Sequence, residues 1–245
     1  MQNTNNPRSQ TEYPLTEETL ATLLASLLHD SSLLTSTPRR QNPSTNAAIS
    51  ALELHPTLEA ALHILNHDLP SAHFVVRKMD GPPAIEAMLL HAILHRVEGD
   101  FHNARLWIAD VRDACDGWVP RRRAKQRLAP STLHLLELPS CSDSFLEFVY
   151  GDATEGSGGS PERLLGDVEA VRKLGDCGDC GDWEDGLESV EERARSELER
   201  VVEWCRRKFG ESRWEDARAA YAEGGVEVRN MGREMTTGEM GWQKF

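Results

Sequence analysis

Two stretches of this chain repeat one helix, turn and helix. Leu62-His63, Asp68 and Ala72 are followed by Leu94-His95, Asp100 and Ala104, each position displaced by 32 residues. A repeated hairpin constrains the fold strongly, because one unit cannot bury its own apolar face and must stack on the next. Four apolar stripes at helical spacing fit the two copies. They are Leu58, Ala61, Leu62 and Leu65; Ala72, Val75, Val76 and Met79; Ile85, Met88, Leu89, Ala92 and Ile93; and Ala104, Trp107, Ile108, Val111 and Cys115. Asp68 is placed to cap the second helix with Pro70 in its first turn, Gly81-Pro82-Pro83 separates the hairpins, and Gly99-Asp100 turns the second one. Ala72 and Ala104 are small where two helices must approach closely. The fold class expected is all-α.

Around this core the sequence divides by composition. Residues 1–14 are polar and read as a disordered tail, and 15–30 as an amphipathic helix striped by Leu20, Leu23, Leu24, Leu27 and Leu28, with Thr16 as cap and Leu15 as staple. That helix needs a partner, the main helical body being the plainest one. Residues 31–47 are rich in Ser, Thr, Pro, Arg and Asn and read as a linker, leaving 48–150 as the helical-hairpin core. Residues 151–200 hold fifteen Asp or Glu against six Lys or Arg. The part from 151 to 185 is therefore expected to be flexible and solvated, apart from a helix capped by Ser160 and running to Leu174. Residues 186–245 are assigned to C-terminal helices packed on the core, including a third hairpin marked by Gly210, Trp214, Ala217 and Tyr221.

A net charge of −13 opposes general attraction to nucleic acid or anionic lipid. Arg121, Arg122, Arg123, Lys125 and Arg127 form the one dense basic group, a candidate for phosphate contact, nuclear import or pairing with the acidic stretch. No apolar run nears the ~18 residues that cross a bilayer, and the first residues lack a secretory or organelle-targeting pattern. The five cysteines suit a reducing compartment. Cytosol, or cytosol and nucleus, is the expected location. Nucleophile-elbow, Walker-type and dinucleotide fingerprints are absent.

The chemically capable side chains gather on the third helix of the core. His91 and His95 stand at i and i+4, a spacing at which two imidazoles share a metal, and Glu98 lies on the same arc as a further ligand or a base. Asp68, His73, Arg96, Asp100 and Asn103 are candidates to orient a ligand, with His63, His67 and His102 within reach. Arg96 falls on the buried side of the helix and calls for a carboxylate such as Asp68 or Asp100. An amphipathic helix also needs a polar face, and histidines turned to water would satisfy that need without any site. Cys177 and Cys180 form one C-x-x-C pair, at most half of a tetrahedral zinc site.

Two resemblances follow from these residues. Glu98-Gly99-Asp100-Phe101 with Ala104 and Trp107 resembles the turn and second helix of a tetratricopeptide repeat, although the early tryptophan and closing proline of that pattern are not met. Residues 58 to 120 also resemble a protein group, chiefly of filamentous fungi with shorter bacterial relatives, that shares H-A-I-x-H-R-x-E-x-D-x-x-N-A. The matching positions are His91, Ala92, Ile93, His95, Arg96, Glu98, Asp100, Asn103 and Ala104, with Asn66, Asp68 and His73 upstream. This second resemblance implies a fungal origin and a shared helical core, and carries no mechanism. The leading expectation is a helical interaction or scaffold protein with a protein partner and no cofactor. The alternative is an enzyme or small-ligand binder using His91, His95 and Glu98 around a divalent metal.

Overall fold

A computed structural model describes residues 17–34, 43–120, 126–151, 159–175, 184–216 and 220–221. The regular elements of the described residues are all helices, the single β feature among them being a bridge between Trp118 and Arg127. The helices are α1 (Glu17–Asp30), α2 (Pro43–Ala51), α3 (Pro56–Leu65), α4 (Leu69–Val76), α5 (Ile85–Glu98), α6 (Phe101–Cys115), α7 (Pro130–His134), α8 (Phe145–Tyr150), α9 (Pro161–Gly175) and α10 (Glu184–Phe209). None is long and apolar enough to cross a membrane.

The two copies of the repeat make the same turn, bond for bond. In the α3–α4 hairpin the amide of Asp68 donates to His63 O (2.9 Å) and that of Ala72 to Asp68 O (3.0 Å). The α5–α6 hairpin repeats this with Asp100 to His95 O (2.8 Å) and Ala104 to Asp100 O (3.0 Å). Each aspartate caps its helix through Oδ1, accepting from Ser71 N at 3.3 Å and from Asn103 N at 3.1 Å. The residue before each aspartate has a positive φ, 55° at His67 and 88° at Gly99. Ala72 and Ala104 are fully buried, as close helix approach requires.

α5 is the centre of the molecule. It packs on α3, α4 and α6, and twelve of its fourteen residues are buried, which overturns the reading of α5 as amphipathic with a wet face. Two of the buried residues are charged, and α10 answers both. At the start of α5, Oε1 of Glu86 accepts from Trp204 Nε1 (2.8 Å) and Lys208 Nζ (2.6 Å). Near its end Arg96 makes a two-pronged contact with Glu197, Nη1 to Oε1 at 3.1 Å and Nη2 to Oε2, while the Tyr150 hydroxyl also donates to Glu197. The order of the two links means that α5 and α10 run antiparallel. Arg96 therefore pairs with neither Asp68 nor Asp100. Those aspartates cap helices at the turns, whereas Arg96 points across the core to a residue 101 positions later. Burial opposes the charge on Arg96, yet Glu197 prevails and raises its pKa.

The flanks differ from the compositional reading in three places. Ser31 to Leu34 are not a solvated linker: Leu33 and Leu34 are buried, and Glu191 accepts from Ser32 Oγ (3.0 Å) and Leu33 N (2.9 Å). α2 begins inside the expected linker and buries Ile49. Beyond Phe209, residues 210–216 are not helical. Trp214 stands edge-on to His55, with ring centres 4.6 Å apart, and donates its amide to Glu53 O (2.7 Å), so these residues return to the α2–α3 turn. The stretch expected to form the second helix of a third hairpin lies largely outside the described residues, which beyond Asp216 include only Ala220 and Tyr221. FLEFVY is α8, closed by a capping box of Ser144 and Glu147 and packed on Trp204 through Phe145 and Phe148. The helix expected to run to Leu174 is α9, where Ser160 Oγ accepts from Arg163 N at 3.2 Å. The N-terminal tail, the Leu15-Thr16 cap, Arg39 and Arg40, Arg121 to Arg123 with Lys125, Cys177 and Cys180, and Ala217 lie outside the described residues.

Candidate metal centre

The hairpin geometry brings α4 against α5, and three imidazoles meet at that contact. One turn past its Asp68 cap, α4 buries Ala72 against the core and carries His73 next to it, partly exposed. α5 presents His91 and His95 one turn apart on the facing side. His73, His91 and His95 each offer a ring nitrogen, and the three nitrogens lie within 4.8 Å of one another. They are the one such group among the described residues.

The closest approach is informative. His73 Nε2 and His91 Nε2 stand 3.1 Å apart. Two nitrogens bound to one ion at about 2.0 to 2.1 Å, subtending about 90° to 109°, are separated by about 2.9 to 3.4 Å. The observed spacing falls within that range, and equally suits a hydrogen bond between the two rings. Without a metal, one of these nitrogens must carry hydrogen and the other accept it.

The rings are held as a stack. His91 lies over His95 with centres 5.0 Å apart and planes 10° apart, and over Trp107 of α6 at 4.1 Å and 23°. His73 stands across both, at 85° to His91 and 76° to His95. His91 is buried, whereas the His73 side chain is 33% exposed, so the group opens to solvent on the α4 side.

Glu98 lies on the opposite edges of two rings. Its Oε1 is 3.4 Å from His73 Nδ1 and its Oε2 is 3.2 Å from His95 Nδ1. A carboxylate facing Nδ1 favours a hydrogen there and leaves Nε2 as the lone-pair donor, the arrangement by which an outer carboxylate orients imidazoles for a metal. Asp100 Oδ2 adds a third oxygen 3.8 Å from His95 Nδ1. Asp100 is itself fixed by Asn103, whose Nδ2 donates to Oδ2 at 2.6 Å, and the backbone and side-chain bonds from Asn103 hold its carboxyl below the usual range. Burial, then repulsion from His73, holds His95 below its ordinary 6.5 despite the two carboxylates. A metal ligand must be a neutral imidazole, and His95 is kept so at neutral pH.

The residues singled out from the sequence therefore separate. His91 and His95 belong to the cluster, His73 joins them as a third potential ligand, and Glu98, Asp100 and Asn103 form the polar frame behind. Asp68 and His63 belong to the first hairpin, facing each other at 3.5 Å, and His102 is exposed outside the cluster. Arg127 lies over the Trp118 ring at 3.7 Å and donates to Asp116 O, so its charge serves the loop after α6. Trp107 is the site residue that sequence reasoning missed as such. Its place in the α6 apolar stripe predicted packing, and only the juxtaposition of α5 and α6 shows what it packs on. Compared with protein-family models, with curated proteins and with solved structures, the chain matches none.

Proposed function

We propose that this protein binds a divalent transition metal through His73, His91 and His95, with Glu98 orienting two of the three rings. The observation that carries the proposal is the meeting of three imidazoles from two helices, with two Nε2 atoms 3.1 Å apart. An all-imidazole set favours zinc, cobalt, nickel, copper or iron over magnesium or calcium, which prefer oxygen. Three protein ligands beside solvent leave at least one coordination position for water or substrate, the pattern of a catalytic rather than a structural ion. Held by these three imidazoles, a divalent ion would supply Lewis acidity and a lowered water pKa, and the reaction class this would permit is metal-assisted hydrolysis or hydration. The chain's own share is to supply the three nitrogens, to shield His91 behind Trp107, and to hold negative charge at Glu98 and Asp100. The scaffold reading, with a protein partner on a tetratricopeptide-like face, is supported by the repeated turn. It leaves unexplained why three imidazoles are turned into one another.

Cobalt substitution tests the proposal. Metal-free protein titrated with Co²⁺ should develop ligand-field absorption saturating at one equivalent, and an added small anion such as azide should shift the bands by occupying the open position. His73→Ala and His91→Ala with His95→Ala should abolish the saturable signal. Absence of saturable binding in the intact protein overturns the metal reading, and bands indifferent to anions overturn the open position.

A further inference from the structure

A cavity of about 450 Å³ lies between the end of α8, the start of α9 and one face of α10. Its volume is in the range of small-molecule sites. α10 lines it with Ser189, Arg193, Ser196 and Arg200, spaced so that all four share one helix face, and α9 adds Ser160 and Arg163. The charge distribution is opposite to that of its surroundings. Residues 151–200 hold fifteen acids and six bases, yet three of those bases and a single acid, Glu197, line the cavity. Glu197 is already engaged, since Arg96 and Tyr150 bind its carboxylate from below.

Of the three arginines, Arg193 is paired with Asp167 at 2.8 Å. Arg200 makes a 3.3 Å contact to the carbonyl of Val149, and among the described residues neither it nor Arg163 meets a carboxylate. Guanidinium groups beside hydroxyl donors match the oxygens of a phosphoryl group. From this arrangement we infer that the α8–α9–α10 cavity binds a small phosphate-bearing molecule through Arg163 and Arg200, with Arg193 and the serines completing the anion site. This site shares no residue with the histidine cluster.

The test uses the full chain, freed of metal, in low-salt buffer, with inorganic pyrophosphate as the probe followed by calorimetry. The site predicts saturable binding at one equivalent, half-complete below about 1 mM and weakened by added sodium chloride. Arg163→Gln with Arg200→Gln should weaken it by about tenfold or more. Ser196→Glu, which puts a carboxylate in the cavity while leaving both arginines in place, should do the same if the double variant does not fold. His91→Ala with His95→Ala should bind as the parent does. No saturation by about 10 mM, or equal affinity in folded arginine and Ser196 variants, overturns the assignment. Loss of pyrophosphate binding in the histidine variant would also overturn it, by moving the anion to the other site.

Discussion

Glu98→Gln is the substitution that separates the role of an outer carboxylate from that of a ligand. The glutamine keeps the size of the side chain but cannot offer two anionic oxygens to the Nδ1 edges, which lie at 3.4 Å in His73 and 3.2 Å in His95. Removing an outer partner of a metal-binding histidine typically lowers metal affinity by about ten- to a hundredfold. Two features place this case within that range. One carboxylate serves two of three ligands, which pushes toward the upper end, while its 31% exposed side chain lets water substitute, and Asp100 still faces His95 at 3.8 Å. The expected loss is about ten- to thirtyfold, or about 1.4 to 2 kcal/mol. Competition for Zn²⁺ between the protein and a chromophoric chelator at neutral pH measures it directly. Affinity unchanged within about twofold would remove Glu98 from the account, and a loss well beyond about a hundredfold would make it a ligand.

Three further outcomes follow from the packing. His55, buried against Phe209 with ring centres 3.6 Å apart, has its pKa lowered from 6.5 to about 4 by burial and then by Lys208. The unfolded chain then binds the extra proton more readily, so this stabilisation is complete above about pH 6.5 and lost as pH falls toward 4, a change on the order of 3 kcal/mol. Urea midpoints measured across that window should fall, and fall less steeply in His55→Asn, which can still cap α3 as His55 does by accepting from Thr57 N at 3.2 Å. Arg96→Met strands the buried Glu197 carboxylate and should cost about 3 to 5 kcal/mol in urea unfolding, with Glu197→Met in the same chain recovering most of it. Gly99→Ala forces a side chain onto φ 88°, with its Cβ 2.7 Å from the Arg172 guanidinium that binds Val97 O, and should cost about 1 to 2 kcal/mol and lower Tm by several degrees.

The repeat was readable because its determinants are local. A capping aspartate, a small residue four positions on and a turn before them leave a signature of fixed spacing, and Asp68, Ala72, Asp100 and Ala104 all do in the fold what that spacing implies. His91 and His95 were readable for the same reason, one helical turn being a local distance. His73 entered the sequence reading as a residue that could orient a ligand and not as a ligand itself, because its approach depends on how α4 lies on α5. The partner of Arg96 was not readable at all, since nothing local distinguishes Glu197 from the other acids of an acidic stretch. Composition misled at Ser31 to Leu34, where two leucines and one glutamate from α10 suffice to hold a polar segment. The differences between the two copies of the hairpin carry the function proposed here. Glu59 and Asn66 of the first copy become His91 and Glu98 in the second; the first pair makes polar contacts, with Glu59 3.7 Å from His63 Nε2 and Asn66 Nδ2 donating to Asn46 Oδ1, whereas the second pair supplies one imidazole of the cluster and the carboxylate behind it.

X-ray absorption at the zinc edge, on full-length protein carrying one equivalent of Zn²⁺, tests the central claim most directly. The account predicts a shell of nitrogen and oxygen at about 2.0 to 2.1 Å with the outer scattering of three imidazoles, and no sulfur. A sulfur shell at about 2.3 Å would place the ion on cysteines instead, and failure to retain zinc through buffer exchange would leave the three histidines without a metal to hold.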